Sequence, residues 1–270
     1  MIKKIAGKIF ELFRNISLCP GLYLAEEPLG KKVLIIAPHP DDEVIGCSGA
    51  LIKHLKRRDK VKIIFLSRNK LDEGPTEIGR IREKEARLVM EFLGVDSFEF
   101  VEHEDMRAAL SGKGYSFLER IFRSFAPDTV YAPSFLEDHH EHRKAADLIA
   151  RVFEKNPEIT KGMKVFLYQI WGQTCPNFLL KVDSVFPATL EALGKYKSQL
   201  SNFNYIDMHK QLRLNWAGLA KGIGLYEAFF LCSGKELVRI LSRKSKEITY
   251  RGLLAMPYAG VMALRKKLKP

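Results

Sequence analysis

The chain has 270 residues, 46% of them hydrophobic and 28% charged, enough to bury a full core without disulfide or metal staples. Its formal charge is +12, but residues 1–32 carry six basic against three acidic side chains and residues 243–270 eight against one, so the body between them is nearly neutral. That distribution argues against a phosphate-tracking groove on the body and against a nucleic-acid partner. At the N-terminus, Ile2, Ile5, Ile9, Leu12, Phe13 and Ile16 recur at helical spacing between Lys3, Lys4, Lys8 and Arg14, which predicts an amphipathic helix rather than a signal peptide. From residue 33 strands and helices alternate. Val33–Ala37 is a continuous apolar run, the mark of a strand buried on both faces. A helix is expected from about Val44 to Leu55, a β-branched strand over Lys60–Ser67, and a loop over Arg68–Gly79 around Gly74-Pro75. Further on the pattern predicts a helix over Arg82–Leu93 ended by Gly94, a strand over Phe98–Val101, a helix over Tyr115–Phe125 and a strand over Thr129–Ala132. A helix over His139–Phe153 and a strand over Val165–Ile170 follow.

Such alternation means βαβ units, a mainly parallel sheet and helices on both faces. Ligands of such sheets bind beyond the carboxyl ends of the strands. The segments that follow strands therefore carry the argument, and two of them are rich in metal-binding side chains. The first is Ala37-Pro38-His39-Pro40-Asp41-Asp42-Glu43. A histidine leaving a buried strand and an acid three residues on can turn to one point, with Asp41 facing the same cleft. The plain alternative is that the three acids only cap a helix. The second is Asp138-His139-His140-Glu141-His142, where three of the seven histidines fall within four positions. His139 and His142 share a face at a helix start. His39, Asp42 and one histidine of this cluster would give the three-ligand site, open to water, of a zinc hydrolase.

The strand followed by H-P-D-D-E and the later H-x-x-H resemble the PIG-L (LmbE-like) family of zinc-dependent N-acetylglucosaminyl deacetylases. Arg82-x-x-Glu85-Ala86 with Leu93-Gly94, Ser198-Gln199 and Tyr226-Glu227-Ala228-Phe229 are similar to the family's later landmarks, in the family's order. The resemblance implies a Rossmann-like three-layer α/β sandwich and removal of an N-acetyl group from an N-acetylglucosamine-type conjugate. It implies His39, Asp42 and His142 as ligands of Zn2+, with Fe2+ or another divalent metal as a substitute. Asp41 is then the general base, and His139 the histidine that stabilises the tetrahedral intermediate or protonates the leaving amine. Glu141 stands where the family has an Asp that orients the catalytic histidine, and Glu141 or Asp138 would hold His139 charged. Arg82 and Asp105 are expected at the sugar hydroxyls.

The alternatives are a zinc amidase for a larger amide conjugate and a non-catalytic sugar- or membrane-binding descendant. The intact Asp41 speaks against the second. Residues 1–31 are expected to be an amphipathic extension, 32–242 the deacetylase domain and 243–270 a tail. In that tail Gly252–Leu264 is nearly all apolar, interrupted by Pro257 and followed by Arg265, Lys266, Lys267 and Lys269. It is too short to span a bilayer, which takes roughly 20 apolar residues, but suits an anionic headgroup surface. The four cysteines, Cys19, Cys47, Cys175 and Cys232, form no C-x-x-C and read as reduced thiols of a cytoplasmic protein, with peripheral contact to the inner face of the membrane as an extension of that reading. His54 and His209 are expected to be surface or satisfied residues, and Trp171 and Trp216 to pack.

Overall fold

The computed structural model describes residues 22–68, 77–101, 110–172, 175–201, 203–220 and 222–241. The expected N-terminal helix, the basic tail, His103 and Asp105 lie outside the described residues. The elements in order are β1 (Tyr23–Ala25), β2 (Lys32–Ala37), α1 (Asp42–Lys56), β3 (Lys60–Phe65), α2 (Glu77–Leu93), β4 (Phe98–Phe100), α3 (Gly112–Phe125), β5 (Thr129–Pro133) and α4 (His140–Lys155). They continue with β6 (Lys164–Tyr168), β7 (Phe178–Lys181), α5 (Phe186–Leu193), α6 (Lys197–Leu200), α7 (Tyr205–Ala217), β8 (Tyr226–Ser233) and α8 (Gly234–Leu241).

All eight strands join one sheet in the order β1-β7-β8-β6-β5-β2-β3-β4. Pairing is parallel except at β8, which runs antiparallel to both β6 and β7. The continuous apolar run of β2 has its physical reason in two cores. Val33, Ile35 and Ala37 face one, with α1, α2 and α5; Leu34 and Ile36 face the other, with α3, α4 and α8. The expected three-layer α/β sandwich with a mainly parallel sheet is therefore the observed one. From β2 the chain winds outward through β3 to β4, then returns to place β5 on β2's other side. The reversal opens a crevice between the carboxyl ends of β2 and β5, where open α/β sheets bind ligands.

Several boundaries differ from expectation, among them the start of α3, at Gly112 rather than Tyr115, and the end of β3, at Phe65 rather than Ser67. The segment read as a loop through Gly79 is helical from Glu77, an acid in the first turn where the helix dipole favours it. β6 stops at Tyr168, two residues early, because the Ile170 N–H leaves the sheet to donate to the Glu137 carboxylate at 2.6 Å. His54 is buried and satisfied, its ring nitrogens meeting Asp59 at 2.7 Å and the Tyr131 hydroxyl at 3.1 Å. His209 departs from the expectation: it is buried and stacked on Phe186, and among the described residues neither ring nitrogen has a hydrogen-bond partner. Cys47, Cys175 and Cys232 form no disulfide.

Candidate active site

Between β2 and α1 the chain turns through Pro38 and Pro40, whose rings fix φ and stiffen the bend. The His39 N–H donates to Asp42 Oδ2 at 2.9 Å, and His39 Nδ1 lies 3.3 Å from that same oxygen. From the first turn of α4, His142 brings Nε2 to 3.3 Å from it as well. The three residues are buried, and their ligand atoms all lie within 4.8 Å of one another. Two donors bound at about 2.0–2.1 Å to one tetrahedral ion are separated by about 3.3 Å. The two measured edges of 3.3 Å match that spacing. Behind each histidine stands a buried glutamate. Glu141 Oε2 lies 2.5 Å from His39 Nε2, and Glu137 Oε2 lies 3.5 Å from His142 Nδ1. Each ring thus turns one nitrogen to Asp42 and the other to a carboxylate, the arrangement that fixes tautomer and aim in histidine metal ligands.

The electrostatics agree with the donor set. Burial would lower both histidines, but Asp42 and Glu137 carry His142 up to about 10, and hydrogen bonds from Asp42 and Glu141 raise His39. Burial would raise Asp42, but His142 and then His39 hold it well below the carboxylate range. A point that so favours positive charge is suited to a divalent cation, which displaces the two protons.

Asp41 is built differently. Its φ of 113° is in the left-handed half of conformational space, strained for a residue with a side chain. The Glu43 carboxylate holds it there, accepting the Asp41 N–H at 3.1 Å, while the Tyr196 hydroxyl donates to the other Glu43 oxygen. The Asp41 side chain makes no capping bond to α1, although it occupies the cap position. Asp42 and Glu43 likewise accept from N–H groups of the turn itself, so helix capping does not account for the three acids. Burial, and then the charges of Asp42 and Glu43, raise the Asp41 carboxyl well above its ordinary value, with Arg82 pulling the other way.

A family model described as PIG-L, GlcNAc-PI de-N-acetylase, matches residues 34–153. That segment is similar to the PIG-L family. Its fold recurs in the conserved protein TT1542 from Thermus thermophilus, 25% identical over 73% of this chain and 93% of that one, with a TM-score of 0.63. It recurs in the N,N'-diacetylchitobiose deacetylase from Pyrococcus horikoshii, 21% identical over 87% and 94%, TM-score 0.64. It also recurs in the 4-carboxy-2-hydroxymuconate hydratase GalB of Pseudomonas putida, 17% identical over 77% and 95%, TM-score 0.57. The last is a hydratase, so the fold by itself does not specify the reaction.

Within this site, Arg82 is buried in α2 and reaches Asp41 and Tyr205 electrostatically. Glu85, one turn on, accepts from Ser198 N and Oγ at 2.8 and 2.6 Å and so ties α2 to the start of α6. The R-x-x-E pair thus divides its work between cleft and scaffold. His139 stands at the mouth, its ring centroid 4.8 Å from that of His142. Two expectations are corrected. Glu141, expected behind His139, stands behind His39, because the first turn of α4 points its side chain back at β2. His139 is not held charged: burial and the neighbouring His142 and His39 push it down to about 4. Sequence reasoning also missed Glu137, Tyr205 and Trp171. Glu137 carries no periodic or motif signal. Trp171, expected to pack, is 39% exposed.

Proposed function

We propose that the chain is a metal-dependent N-deacetylase acting on an N-acetylglucosamine-type conjugate, with zinc as the metal at His39, Asp42 and His142. The observation that carries this reading is the pairing of a converged His–Asp–His group with a strained, buried carboxyl, Asp41, that caps nothing. The family match and the shared fold of the diacetylchitobiose deacetylase support the sugar acetamide as substrate. When bound, a divalent ion supplies Lewis acidity toward the acetamide carbonyl and makes water a nucleophile at neutral pH.

The chain's own residues perform the proton work. Asp41 accepts a proton as water adds to the carbonyl carbon. Its raised pKa lets it keep that proton and return it to the amine nitrogen as the C–N bond breaks, leaving acetate and a free amine. His139, neutral near pH 7, is a hydrogen-bond donor for the carbonyl oxygen as its charge grows, the role a depressed histidine suits. Arg82 positions the sugar.

Metal analysis combined with acetate release from N-acetylglucosamine conjugates tests the assignment. His39→Ala and His142→Ala proteins should lose metal. Asp41→Asn should retain it yet fall by on the order of 10²–10⁴-fold in turnover. Full metal content in the histidine variants, or near-normal turnover by Asp41→Asn, contradicts these roles.

The finer reading is a lipid-linked substrate met at the cytoplasmic face of a membrane. It rests on the apolar and basic sequence of the two ends. Among the described residues no helix is long and apolar enough to cross a membrane. The full chain should float with anionic vesicles, not neutral ones, and be released by salt. Absence of flotation rejects the membrane and leaves a soluble conjugate as the substrate.

A further inference from the structure

Trp171, Phe203 and Tyr205 form a compact cluster beside the site. Their ring centroids lie 5.4, 5.5 and 5.1 Å apart, with the planes inclined at 71°, 59° and 67°. Trp171 and Phe203 are 39% and 44% exposed, and Ile206 beside them is 36% exposed. Most other large aromatic side chains, such as Tyr131, Tyr168 and Phe166, fill the cores, while Tyr23 on the edge strand is exposed as well. Leaving two such rings in water forgoes their burial, and a contiguous exposed apolar group marks a contact site.

The cluster is firmly built and belongs to the cleft. Glu137, the carboxylate behind His142, accepts the backbone N–H groups of Ile170, Trp171 and Gly172 at 2.6, 2.9 and 3.2 Å. A side chain at Gly172 would put its Cβ 2.4 Å from the Leu136 carbonyl oxygen, so the Trp171 segment lies directly against the loop that leads to His142. On the other side, half-buried Tyr205 feels the charges of Asp41 and Asp42, which with burial raise its phenol. The cluster therefore lies between the loop that leads to His142 and solvent, with half-buried Tyr205 within electrostatic reach of Asp41 and Asp42. Among the described residues, one adjacent polar pair is engaged internally: Asn204 Nδ2 donates to Asp207 Oδ2 at 2.7 Å, and Asn204 Oδ1 accepts from the Asp207 N–H at 3.2 Å.

We propose that Trp171, Phe203 and Tyr205 form the subsite for the group attached to the amino sugar, and that it takes an apolar alkyl or aryl aglycone. This rests on the deacetylase reading for the placement of the sugar. Steeply inclined rings make an apolar corner rather than a flat platform, and the nearby amide and carboxylate are not directed at a sugar's hydroxyls. A second pyranose is therefore the weaker fit.

The test compares N-acetylglucosamine, N,N'-diacetylchitobiose and octyl N-acetyl-β-glucosaminide, the last below its micelle concentration, as substrates of the metal-loaded enzyme. Trp171→Ala and Phe203→Ala should lower kcat/KM for the octyl glycoside about tenfold or more, through KM, and leave N-acetylglucosamine unchanged. Trp171→Phe, which keeps a ring, should recover most of the loss. Equal losses on all three substrates, loss on the disaccharide alone, or no loss overturn the proposal. A second readout does not depend on turnover: in a Trp216→Phe protein, octyl β-glucosaminide should shift the emission of Trp171. An emission shift without acetate release from any substrate keeps the subsite and rejects the deacetylase reading. Acetate release with no response in emission or in the variants rejects the subsite alone.

Discussion

Asp42 Oδ2 is the atom on which the site converges, and the two glutamates behind the histidines decide how firmly. A histidine ligand free to rotate or to change tautomer binds less well, because the orientation must be fixed at the moment of binding. Glu141 fixes His39 from a contact of 2.5 Å, and Glu137 faces His142 across 3.5 Å while accepting three backbone N–H groups. Both carboxylates are almost fully buried, at 1% and 2% exposure, so solvent does not take their place if they are removed. Glu141→Gln and Glu137→Gln should each weaken metal affinity by roughly 10–100-fold while leaving the ligands intact. Competition with a chromophoric chelator measures this. The Glu141 change is expected to be the larger, given the shorter contact. Unchanged affinity in both variants would remove the glutamates from the metal site.

At the scale of elements, α1 is two helices joined at a break. Cys47 has φ −151° and ψ 27°, outside the helical range, so the short piece that carries Asp42 is set at an angle to the rest. The broken hydrogen bonding is taken up from β8 and α7. Glu227 accepts from Gly49 N and Ala50 N at 2.7 and 2.8 Å, as an acid does at a helix N-terminus, and Arg213 donates to the Ile45 carbonyl at 2.6 Å. Arg213 and Glu227 also pair with each other at 3.2 Å, both buried. Removing one partner leaves the other charge unmatched, so Arg213→Met should cost about 3–5 kcal/mol in urea unfolding. This bracket also explains what was legible in sequence. The βαβ half, from β2 to β6, shows itself through continuous apolar strands and amphipathic helices that obey local periodicity. β7, β8, α5 and α7 did not, because β8 enters the middle of a parallel sheet from far along the chain, and its run is interrupted by Glu227. Tyr226-Glu227-Ala228-Phe229 stood out only as a family landmark, since the partners that explain a buried glutamate, Gly49 and Arg213, are not local. The same holds in the site. His39, Asp41, Asp42 and His142 advertise themselves by residue type after strands, whereas Glu137 and Tyr205 act through contacts that only the fold creates.

For the whole molecule, the buried histidines make stability depend on pH in opposing directions, and one of them can be isolated. In the metal-free protein His142 and His39 are raised, so their contribution is fully present below the unfolded value near 6.5 and is lost as pH rises, for His142 through about 10. His209 behaves in the opposite way. Burial, and then the Arg213 charge, push it well below its ordinary value, and among the described residues neither ring nitrogen has a partner to welcome a proton. The unfolded chain therefore binds a proton at His209 that the folded chain refuses. Stability falls as pH drops below about 6.5, by up to about 1.4 kcal/mol per pH unit, until the depressed folded value is reached. His54 is lowered as well, and Asp42 adds its own loss at lower pH, so the curve of the wild-type protein alone does not identify the source. The difference between wild type and His209→Leu does, because every other group cancels. Leucine cannot titrate, and in place of the imidazole stacked at 5.6 Å on Phe186 it keeps the contact apolar. The variant should gain on wild type steadily between about pH 6.5 and 5 in urea unfolding at constant ionic strength, with a constant offset above about pH 7.5. A difference that stays flat across the whole range would mean that His209 is protonated in the fold as readily as in the unfolded chain, and that the acid sensitivity arises elsewhere.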